Sequence, residues 1–500
     1  MSLSLLTVVL DNTVLNVALP SLVTDLGAST AETQWIVNSY SLAQAGLLLT
    51  AGNAADRYGR KRALLFGLGV FGLGSLGAAF SATPIQLILT RAFMGIGGSF
   101  LMTTTLALVM QIFPDSERPK AIGMWAGVSA LGFTAGPVVG GFMLDHAWWG
   151  SIFLINLPVV AISLTAVIIM VPESRNPSGD RPDIVGAVLS VIGMVGIVYA
   201  VIVSPEKGWG ASETLIPAVG GIVIMVAFIL WERRVSNPML SMSLFRDRMF
   251  SFAAAGGILV AFGMSGALFL LTQYLQFMEG FSPIKAGFAT APMAATVVVF
   301  NLTGLGARVL RRLGSGRAVM LGIPLLAAGL ATAGFFSQDG YWGILVGLVL
   351  VGSGVGLSMP AVANAIMTAI SRKRAGTGAG VNGTLQELGA SLGVAVLGAV
   401  LSTRFAASLP NVLHDEGSQS LPATLAKAAT LPDSTQLVAD AHHAFLAGMS
   451  TSQFTGAVLL LVAGLVVGRT LRRAEREIQM QAAPSGSGSP KVPSSAASHE

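Results

Sequence analysis

Long apolar stretches separated by short polar or glycine- and proline-containing breaks fill most of the chain. A helix that crosses a hydrocarbon core of about 30 Å needs about 20 apolar residues. By this criterion the sequence contains fourteen spans, at residues 2–22, 32–53, 63–82, 86–110, 121–144, 151–171, 184–203, 214–231, 250–276, 286–307, 318–336, 341–369, 376–402 and 444–468. We therefore predict an all-α polytopic membrane protein.

The composition agrees with this pattern and excludes several classes of function. Of the 500 residues 53% are hydrophobic and 11% are charged, and the mean hydropathy is +0.72. Soluble proteins carry about 25% charged residues. Because the chain has no cysteine, it has no disulfide, no thiolate metal site and no cysteine nucleophile. We find no nucleophile–base pair and no metal-ligand spacing, so we expect neither an enzyme nor a metal protein.

The distribution of basic residues predicts the orientation. Most of the 29 Lys and Arg residues lie in the loops after the even-numbered spans up to span 12 and in the C-terminal tail. We call this the basic side of the membrane. The positive-inside rule makes it cytoplasmic, with both termini inside and a location in the cell membrane. Contact with anionic lipid headgroups accounts for the net charge of +5, so we expect no nucleic-acid partner. The high content of arginine, alanine and glycine favours a bacterial source.

The two ends of the chain carry related features. The loop GNAADRYGRKR (52–62) and the loop ARVLRRLGSGR (307–317) align on Gly59 and Gly314, and each leads into an apolar helix. Arg118–Ala121 and Arg372–Ala375 form a second pair at the same offset of eight spans. Two six-span halves with two inserted spans produce such an offset, as in transporters built from repeats.

Three charged residues lie in the interior of the predicted spans, away from their ends, namely Asp11, Arg91 and Glu387. A charged group at the bilayer centre costs about 2.5–3.5 kcal/mol, so each needs a partner or a function. One interpretation is a structural ion pair between Arg91 and Asp11 that joins spans 4 and 1. The other is that at least one carboxyl group faces a wet cavity, where it takes up and releases a proton. Desolvation favours the neutral form of a carboxyl group and so suits that second role.

The segments GNAADRYGRK (52–61), LILTRAFMGIGGS (87–99) and GFTAGPVVGG (132–141) resemble general signatures of the major facilitator superfamily, and the last of them resembles its antiporter signature. The segments LDNTVLNVALP (10–20), WIVNSYSL (35–42) and FLINLP (153–158) resemble signatures of the fourteen-span drug:proton antiporters of that superfamily. The helix-4 signature departs from the family at Met94, where glutamine is usual.

This resemblance implies the major facilitator fold of two six-helix bundles plus two inserted helices, fourteen transmembrane helices in all. The bundles would occupy residues 1–172 and 241–474, with the inserted helices at 173–240 and an external loop at 404–443. The tail at 475–500 is rich in Pro, Gly and Ser, which predicts disorder.

The resemblance also implies roles for particular residues. Asp11, Arg91 and Glu387 would couple protons to substrate. A cytoplasmic latch would comprise Gly52, Asp56, Arg57, Gly59, Arg60 and Lys61. The antiporter motif would comprise Gly132, Gly136, Pro137, Gly140 and Gly141, whose glycines leave a groove that seals against another helix. Polar and aromatic residues of spans 1, 2 and 13 would line a central cavity: Asn16, Gln34, Trp35, Asn38, Tyr40, Asn382 and Gln386.

The function implied is proton-coupled export of amphipathic, often cationic drugs or antibiotics by alternating access. The proton-motive force would drive it without a cofactor, and the chain would work as a monomer. Two alternatives stay open. One is a narrow exporter of a single metabolite or self-made antibiotic, and the other is a membrane receptor or scaffold that transports nothing.

Overall fold

The computed structural model describes residues 2–112, 128, 132, 135–175, 182–337, 340–369, 375–413 and 420–482, and these contain no β-strand. The helices are α1 (Ser2–Asp25), α2 (Thr30–Tyr58), α3 (Arg60–Ala79), α4 (Pro84–Ile112), α5 (described at 135–146), α6 (Ser151–Leu154), α7 (Asn156–Met170), α8 (Ile184–Lys207), α9 (Ser212–Glu232), α10 (Arg248–Phe277), α11 (Pro283–Leu302), α12 (Leu305–Leu313), α13 (Ser315–Phe335), α14 (Tyr341–Ala369), α15 (Ala375–Ser408), α16 (Leu421–Ala428) and α17 (Ser434–Ala482). Short 3₁₀ helices cover Met242–Arg246 and Asn411–Leu413.

The predicted all-α membrane architecture is confirmed. Within the described ranges, twelve helices are long and apolar enough to cross a membrane. The polar helix α2 is not among them, although its 29 residues would reach across. Much of predicted span 5 (121–144) lies outside the described residues, as does the second repeat pair except Ala375. The total of fourteen spans, the domain boundaries and the orientation therefore stay predictions.

The last helix is longer than the sequence pattern indicated. Helix α17 begins at Ser434, inside the predicted external loop, and ends at Ala482, inside the predicted disordered tail. The prediction was wrong for residues 475–482, because the run RRAEREIQMQA (472–482) consists of good helix formers that extend an existing helix. Residues 483–500 lie outside the described part of the chain.

The two ends of the chain repeat one pattern of helix packing. In the first half α3 packs on α4 and α7, α2 packs on α4, and α1 packs on α4 and α7. In the second half α13 packs on α14 and α17, α11 packs on α14, and α10 packs on α14 and α17. Every contact in the first set has its counterpart in the second at the offset that the sequence alignment of Gly59 with Gly314 predicts.

A carboxylate binds the start of the third long helix in the first half. Glu173, just beyond α7, accepts a hydrogen bond of 3.1 Å from the backbone N–H of Lys61 in the first turn of α3. Gly59 precedes this turn with a φ of 121°. A Cβ at Gly59 would lie 2.7 Å from a Glu173 carboxylate oxygen, so both conformation and space favour glycine.

The second half contains the same device. Glu475, near the end of α17, accepts hydrogen bonds from the backbone N–H groups of Ser315 (2.6 Å) and Gly316 (3.0 Å) at the start of α13. Gly314 has a φ of 81°, and a Cβ there would lie 2.8 Å from the Glu475 carboxylate. A negative charge at a helix N-terminus complements the helix dipole. Each half is therefore closed on its basic side by its own carboxylate.

The halves meet along four pairs of helices. Helix α2 packs on α15, α1 packs on α10 and α11, and α5 approaches α11. At the end opposite the basic side, the Gln276 amide donates a hydrogen bond of 2.7 Å to the Val17 carbonyl. A Cβ at Gly141 would lie 2.4 Å from the Cα of Ile284, so α5 and α11 touch through backbone. The boundary between the halves is thus closed at the predicted external end.

The inserted helices occupy one side of this boundary. Helix α8 packs on both α2 and α15, and therefore on both halves at once, whereas α9 packs on α8. Close approach of α8 and α9 depends on glycine, since a Cβ at Gly221 would lie 2.7 Å from the backbone nitrogen of Ile197.

We predict that Glu475→Gln destabilises the second half. A neutral amide still accepts a hydrogen bond but loses the charge that complements the helix dipole, so the cost should be about 1 kcal/mol. The measurement is the thermal unfolding midpoint of purified protein in detergent. Glu477→Gln, at an exposed position on the same helix, serves as the control. Equal midpoints for the two variants would contradict the capping role.

Candidate functional site: a buried ion pair beside a carboxyl group at the boundary of the halves

A buried ion pair joins three helices of the first half. Arg91 of α4 forms a salt bridge with Asp11 of α1, and both side chains are 1% exposed. The Asn156 amide of α7 donates a hydrogen bond of 3.0 Å to the other Asp11 carboxylate oxygen. Asn156 also lies 3.0 Å from the Ser75 hydroxyl, which donates to the Phe153 carbonyl at 2.7 Å. The Arg91–Asp11 ion pair, one of the two interpretations of the sequence, is present in the structure.

The aromatic ring of Tyr40 covers the guanidinium group. The Arg91 Cζ lies 4.3 Å from the centre of the Tyr40 ring, within the range of cation–π attraction. Arg91 also donates a hydrogen bond of 3.4 Å to the backbone carbonyl of Ile36. Tyr40 is held in turn by an edge-on contact with Phe71. Helices α1, α2, α3, α4 and α7 thus contribute to one buried polar centre.

Glu387 approaches this centre from the second half. It lies on α15, is half-buried, and its carboxyl group approaches the Ser41 side chain of α2. It also interacts electrostatically with Arg91 and with the Tyr40 hydroxyl, which interacts with Asp11 as well. All three ionisable residues predicted from the sequence therefore lie in one region. Asp11 and Arg91 are within one half, and Glu387 is across the boundary.

The predicted cavity residues divide into different environments. Gln34, Asn38 and Tyr40 are at most 1% exposed, and Asn382 and Gln386 are half-buried on α15. Asn16 lines a narrow cavity between the halves, together with Pro137, Thr272 and Thr290. Trp35 instead faces the inserted helix α8, where its ring lies 6.0 Å from that of Tyr199. Their role in binding substrate stays a prediction.

The glycines of the antiporter signature allow α5 to pack closely on two helices. A Cβ at Gly136 would lie 1.9 Å from the Thr13 hydroxyl of α1, and one at Gly140 would lie 2.8 Å from Val14. On its other side α5 meets the second half, because a Cβ at Gly287 of α11 would lie 2.2 Å from the Pro137 carbonyl. Helix α1 therefore fills the predicted groove along α5, and Gly132 of α5 packs against Leu6 of α1.

The predicted latch residues form contacts within the first half. Arg60 pairs with Asp56 at 2.7 Å and donates to the Ser174 hydroxyl at 3.2 Å. The Lys61 ammonium group donates to the Ile168 carbonyl at 2.8 Å. Gly52 lies in ordinary contact with Thr103 of α4, and Arg57 is in the last turn of α2. These contacts join α2, α3 and the end of α7, and a latch to the other half stays a prediction.

Sequence reasoning missed Asn156, Ser75 and Glu173. Asn156 lies in the FLINLP segment, so its signal was a polar residue within a conspicuously apolar run. Glu173 and its counterpart Glu475 looked like ordinary loop and tail acids. Their partners are backbone N–H groups more than 100 residues away, which leave no mark on side-chain patterns.

Comparison with known proteins agrees with the fold and the signatures. The sequence model of the Major Facilitator Superfamily matches residues 1–394. "Multidrug resistance protein Stp" of Mycobacterium tuberculosis is 35% identical over 81% of this chain and 76% of its own length. The "Tetracenomycin C resistance and export protein" of Streptomyces glaucescens is 30% identical over 96% of this chain and 93% of its own.

A solved structure supports the same fold. It is a bacterial homologue of the human lysosomal transporter Spinster in an inward-facing, unoccupied conformation. It superposes with a TM-score of 0.61 over 95% of this chain and 97% of its own, at 18% sequence identity. The packing repeat, the sequence signatures and the family match together lead to one conclusion: the chain belongs to the major facilitator superfamily.

Proposed function

We propose that the chain exports amphipathic, often cationic drugs or antibiotics across the cell membrane in exchange for protons. Its relative Stp is named for multidrug resistance, and the tetracenomycin C relative is named for resistance and export. The observation that carries the proton coupling is the position of Glu387, a carboxyl group at the boundary of the halves beside the Asp11–Arg91 pair. The chain would act as a transporter and not as an enzyme, with no cofactor.

The two membrane acids differ in what happens to them when the halves move. Asp11 is bound to Arg91 and Asn156, and all three belong to the first half. Rocking of one half against the other leaves these contacts intact. Glu387 belongs to the second half and faces Ser41 of the first, so the same motion changes its surroundings. Glu387 is therefore the acid whose proton affinity can follow the transport cycle, and we assign the exchanged proton to it.

The drug and the proton compete for the carboxyl group of Glu387, and this competition produces the exchange. Ionised Glu387 attracts Arg91 across the boundary and can bind a cationic substrate, whereas protonated Glu387 does neither. An unpaired ionised carboxyl group is costly in the membrane interior, so release of the drug on the outside favours protonation there. Release of that proton to the cytoplasm restores the charged form. Exchange of one proton for one monovalent cationic drug moves no net charge, so the pH difference across the membrane drives it. Each pH unit supplies about 1.4 kcal/mol and sustains a drug gradient of about tenfold.

The proposal includes an orientation and an assembly state. Both termini would lie in the cytoplasm, with the basic loops and the carboxylate-capped helix ends near anionic lipid headgroups. The two halves of one chain enclose the whole site, so a monomer would suffice.

A second candidate is a narrow exporter of a single compound. The tetracenomycin C relative, whose name refers to one antibiotic, favours it. Expression of the chain in a drug-sensitive bacterium, with inhibitory concentrations measured for a broad panel, separates the two. Raised inhibitory concentrations for several unrelated cationic compounds support the multidrug proposal. A raised inhibitory concentration for one compound class only supports the narrow exporter.

We predict that Glu387→Gln abolishes drug-driven proton movement. Glutamine keeps the size and polarity of the side chain but cannot exchange a proton. In inverted membrane vesicles with an acidic interior, a fluorescent pH probe should report proton efflux when ethidium is added to the wild type. The variant should show at least a tenfold smaller signal, while Glu477→Gln behaves as wild type. A full signal from Glu387→Gln would show that another group carries the exchanged proton.

We predict that the Asp11–Arg91 pair is needed mainly for folding. Removal of one partner leaves an uncompensated buried charge, which costs about 3–5 kcal/mol. Asp11→Asn and Arg91→Gln should each lower the thermal unfolding midpoint strongly. The double variant should lose less stability than the sum of the two, because neither charge remains. If Asp11→Asn instead unfolds like the wild type and loses proton movement, Asp11 and not Glu387 carries the proton.

A further inference from the structure

Helices α2 and α15 run antiparallel along the boundary of the two halves. Near the predicted external end, a Cβ at Gly398 of α15 would lie 2.6 Å from the Gln34 amide carbon of α2. Toward the basic side, a Cβ at Gly383 would lie 2.8 Å from a Leu48 methyl carbon. The contact between α2 and α15 therefore extends from the predicted external end of the membrane region past its middle, toward the basic side.

Polar side chains follow this line on both helices. Asn38 and Ser41 stand four and seven residues after Gln34, which places all three on the face of α2 that meets α15. Ser391 stands four residues after Glu387 and seven before Gly398, so it shares their face of α15. We call Gln34, Asn38, Ser41, Glu387 and Ser391 the α2–α15 polar seam.

Several atoms of the seam are buried without a hydrogen-bond partner. Asn38 is 0% exposed, and neither atom of its amide has a partner among the described residues. The same holds within the described ranges for the Gln34 amide oxygen and the Ser391 hydroxyl, on side chains that are each 1% exposed. Buried polar atoms without hydrogen-bond partners cost free energy. A row of them along one helix contact indicates that the α2–α15 polar seam binds polar molecules during the transport cycle.

The inserted helix α8 separates this seam from lipid. Leu42 and Ala45 of α2 and Ala395 of α15 form a buried apolar cluster with Met194, Val198 and Ile202 of α8. The contact is close, since a Cβ at Gly46 would lie 2.2 Å from Val191 of α8. The polar residues thus lie behind an apolar wall whose outer side is α8, a helix that belongs to neither six-helix half.

We propose that the α2–α15 polar seam binds a file of water molecules that carries protons between the predicted external surface and Glu387, and that α8 seals this file from the lipid. The inference rests on the proposed function, because it supplies the route for the exchanged proton. Amide and hydroxyl groups both donate and accept hydrogen bonds without taking up a proton at neutral pH. They can therefore orient water for proton transfer without trapping the charge.

The seam also matches the charges around it. Glu387 is the titratable member, and the groups that interact with it electrostatically are Arg91 and Tyr40 of the first half. On α8 the titratable side chain of Tyr199 contacts Trp35 of α2. A proton that arrives along the seam thus reaches an acid, and a cation beyond that acid opposes further passage.

The absence of native cysteine permits a direct test of hydration. Asn38→Cys and Ser391→Cys place thiols in the seam, and Leu42→Cys places one against α8, at a residue that is 1% exposed. Methyl methanethiosulfonate is small and reacts with the thiolate, which forms only where water reaches. In transport-competent vesicles both seam thiols should react at least tenfold faster than the Leu42→Cys thiol. Equal rates would overturn the inference, and Ser391→Cys, a nearly isosteric change, decides it alone if Asn38→Cys does not fold.

Proton transport along the seam is tested with a blocking variant. Asn38→Leu fills the file with an apolar side chain, and Asn38→Ser keeps it polar. Thr104→Val removes an equally buried hydroxyl that also lacks a partner in the described structure, but on α4. Ethidium-driven proton movement should fall at least tenfold in Asn38→Leu and stay normal in Asn38→Ser and Thr104→Val.

The outcomes separate the two proposals. A wild-type protein without drug-driven proton movement contradicts the proposed function itself. A normal wild type together with a normal Asn38→Leu overturns the seam and leaves the proposed function standing. If Asn38→Leu fails to bind ethidium because it is misfolded, the reaction rate of the Ser391→Cys thiol decides whether water enters the seam.

Discussion

The structure depends on the cost of keeping charge inside a membrane. Asp11 and Arg91 meet that constraint together as an ion pair. Asn156 donates a hydrogen bond to Asp11, and the Tyr40 ring covers the Arg91 guanidinium group. Because five helices of the first half contribute to this centre, it binds them into a unit that moves as one. Glu387 meets the same constraint differently, with partial exposure and with partners on the other half. A fixed charge pair beside an acid at a moving boundary is the arrangement that proton exchange requires.

The two halves use the same construction for different purposes. Each closes its basic side with a carboxylate that accepts hydrogen bonds from the start of the third long helix: Glu173, just beyond α7, binds the start of α3, and Glu475 of α17 binds the start of α13. Each packs its helices in the same pattern, which indicates a shared ancestry of the halves. The ionisable residues break this symmetry, with the ion pair in one half and the isolated acid in the other. The inserted helix α8 breaks it again, since it covers one boundary between the halves and leaves α5 and α11 to close the opposite one.

Much of this could be predicted from the sequence, for reasons that differ by residue. Apolar runs predict spans because the membrane imposes their length, and charges such as Asp11 and Arg91 are conspicuous within them. Serine and asparagine are common in membrane helices, so Ser41 and Asn156 carried no comparable signal. The closeness of Ser41 to Glu387 depends on how two halves pack, which local patterns do not encode. The role of α8 could not be predicted from the sequence either, because an apolar helix that faces lipid and an apolar helix that seals a polar seam have the same composition.

The measurement that tests the central claim most directly is proton release on drug binding to the purified protein. In weakly buffered detergent solution near neutral pH, ethidium binding to the wild type should release protons, and Glu387→Gln should bind ethidium without releasing any. A variant with the most conservative change at the ion pair, Asp11→Glu, should release protons as the wild type does. Undiminished release from Glu387→Gln would contradict the account, because the exchanged proton would then reside elsewhere.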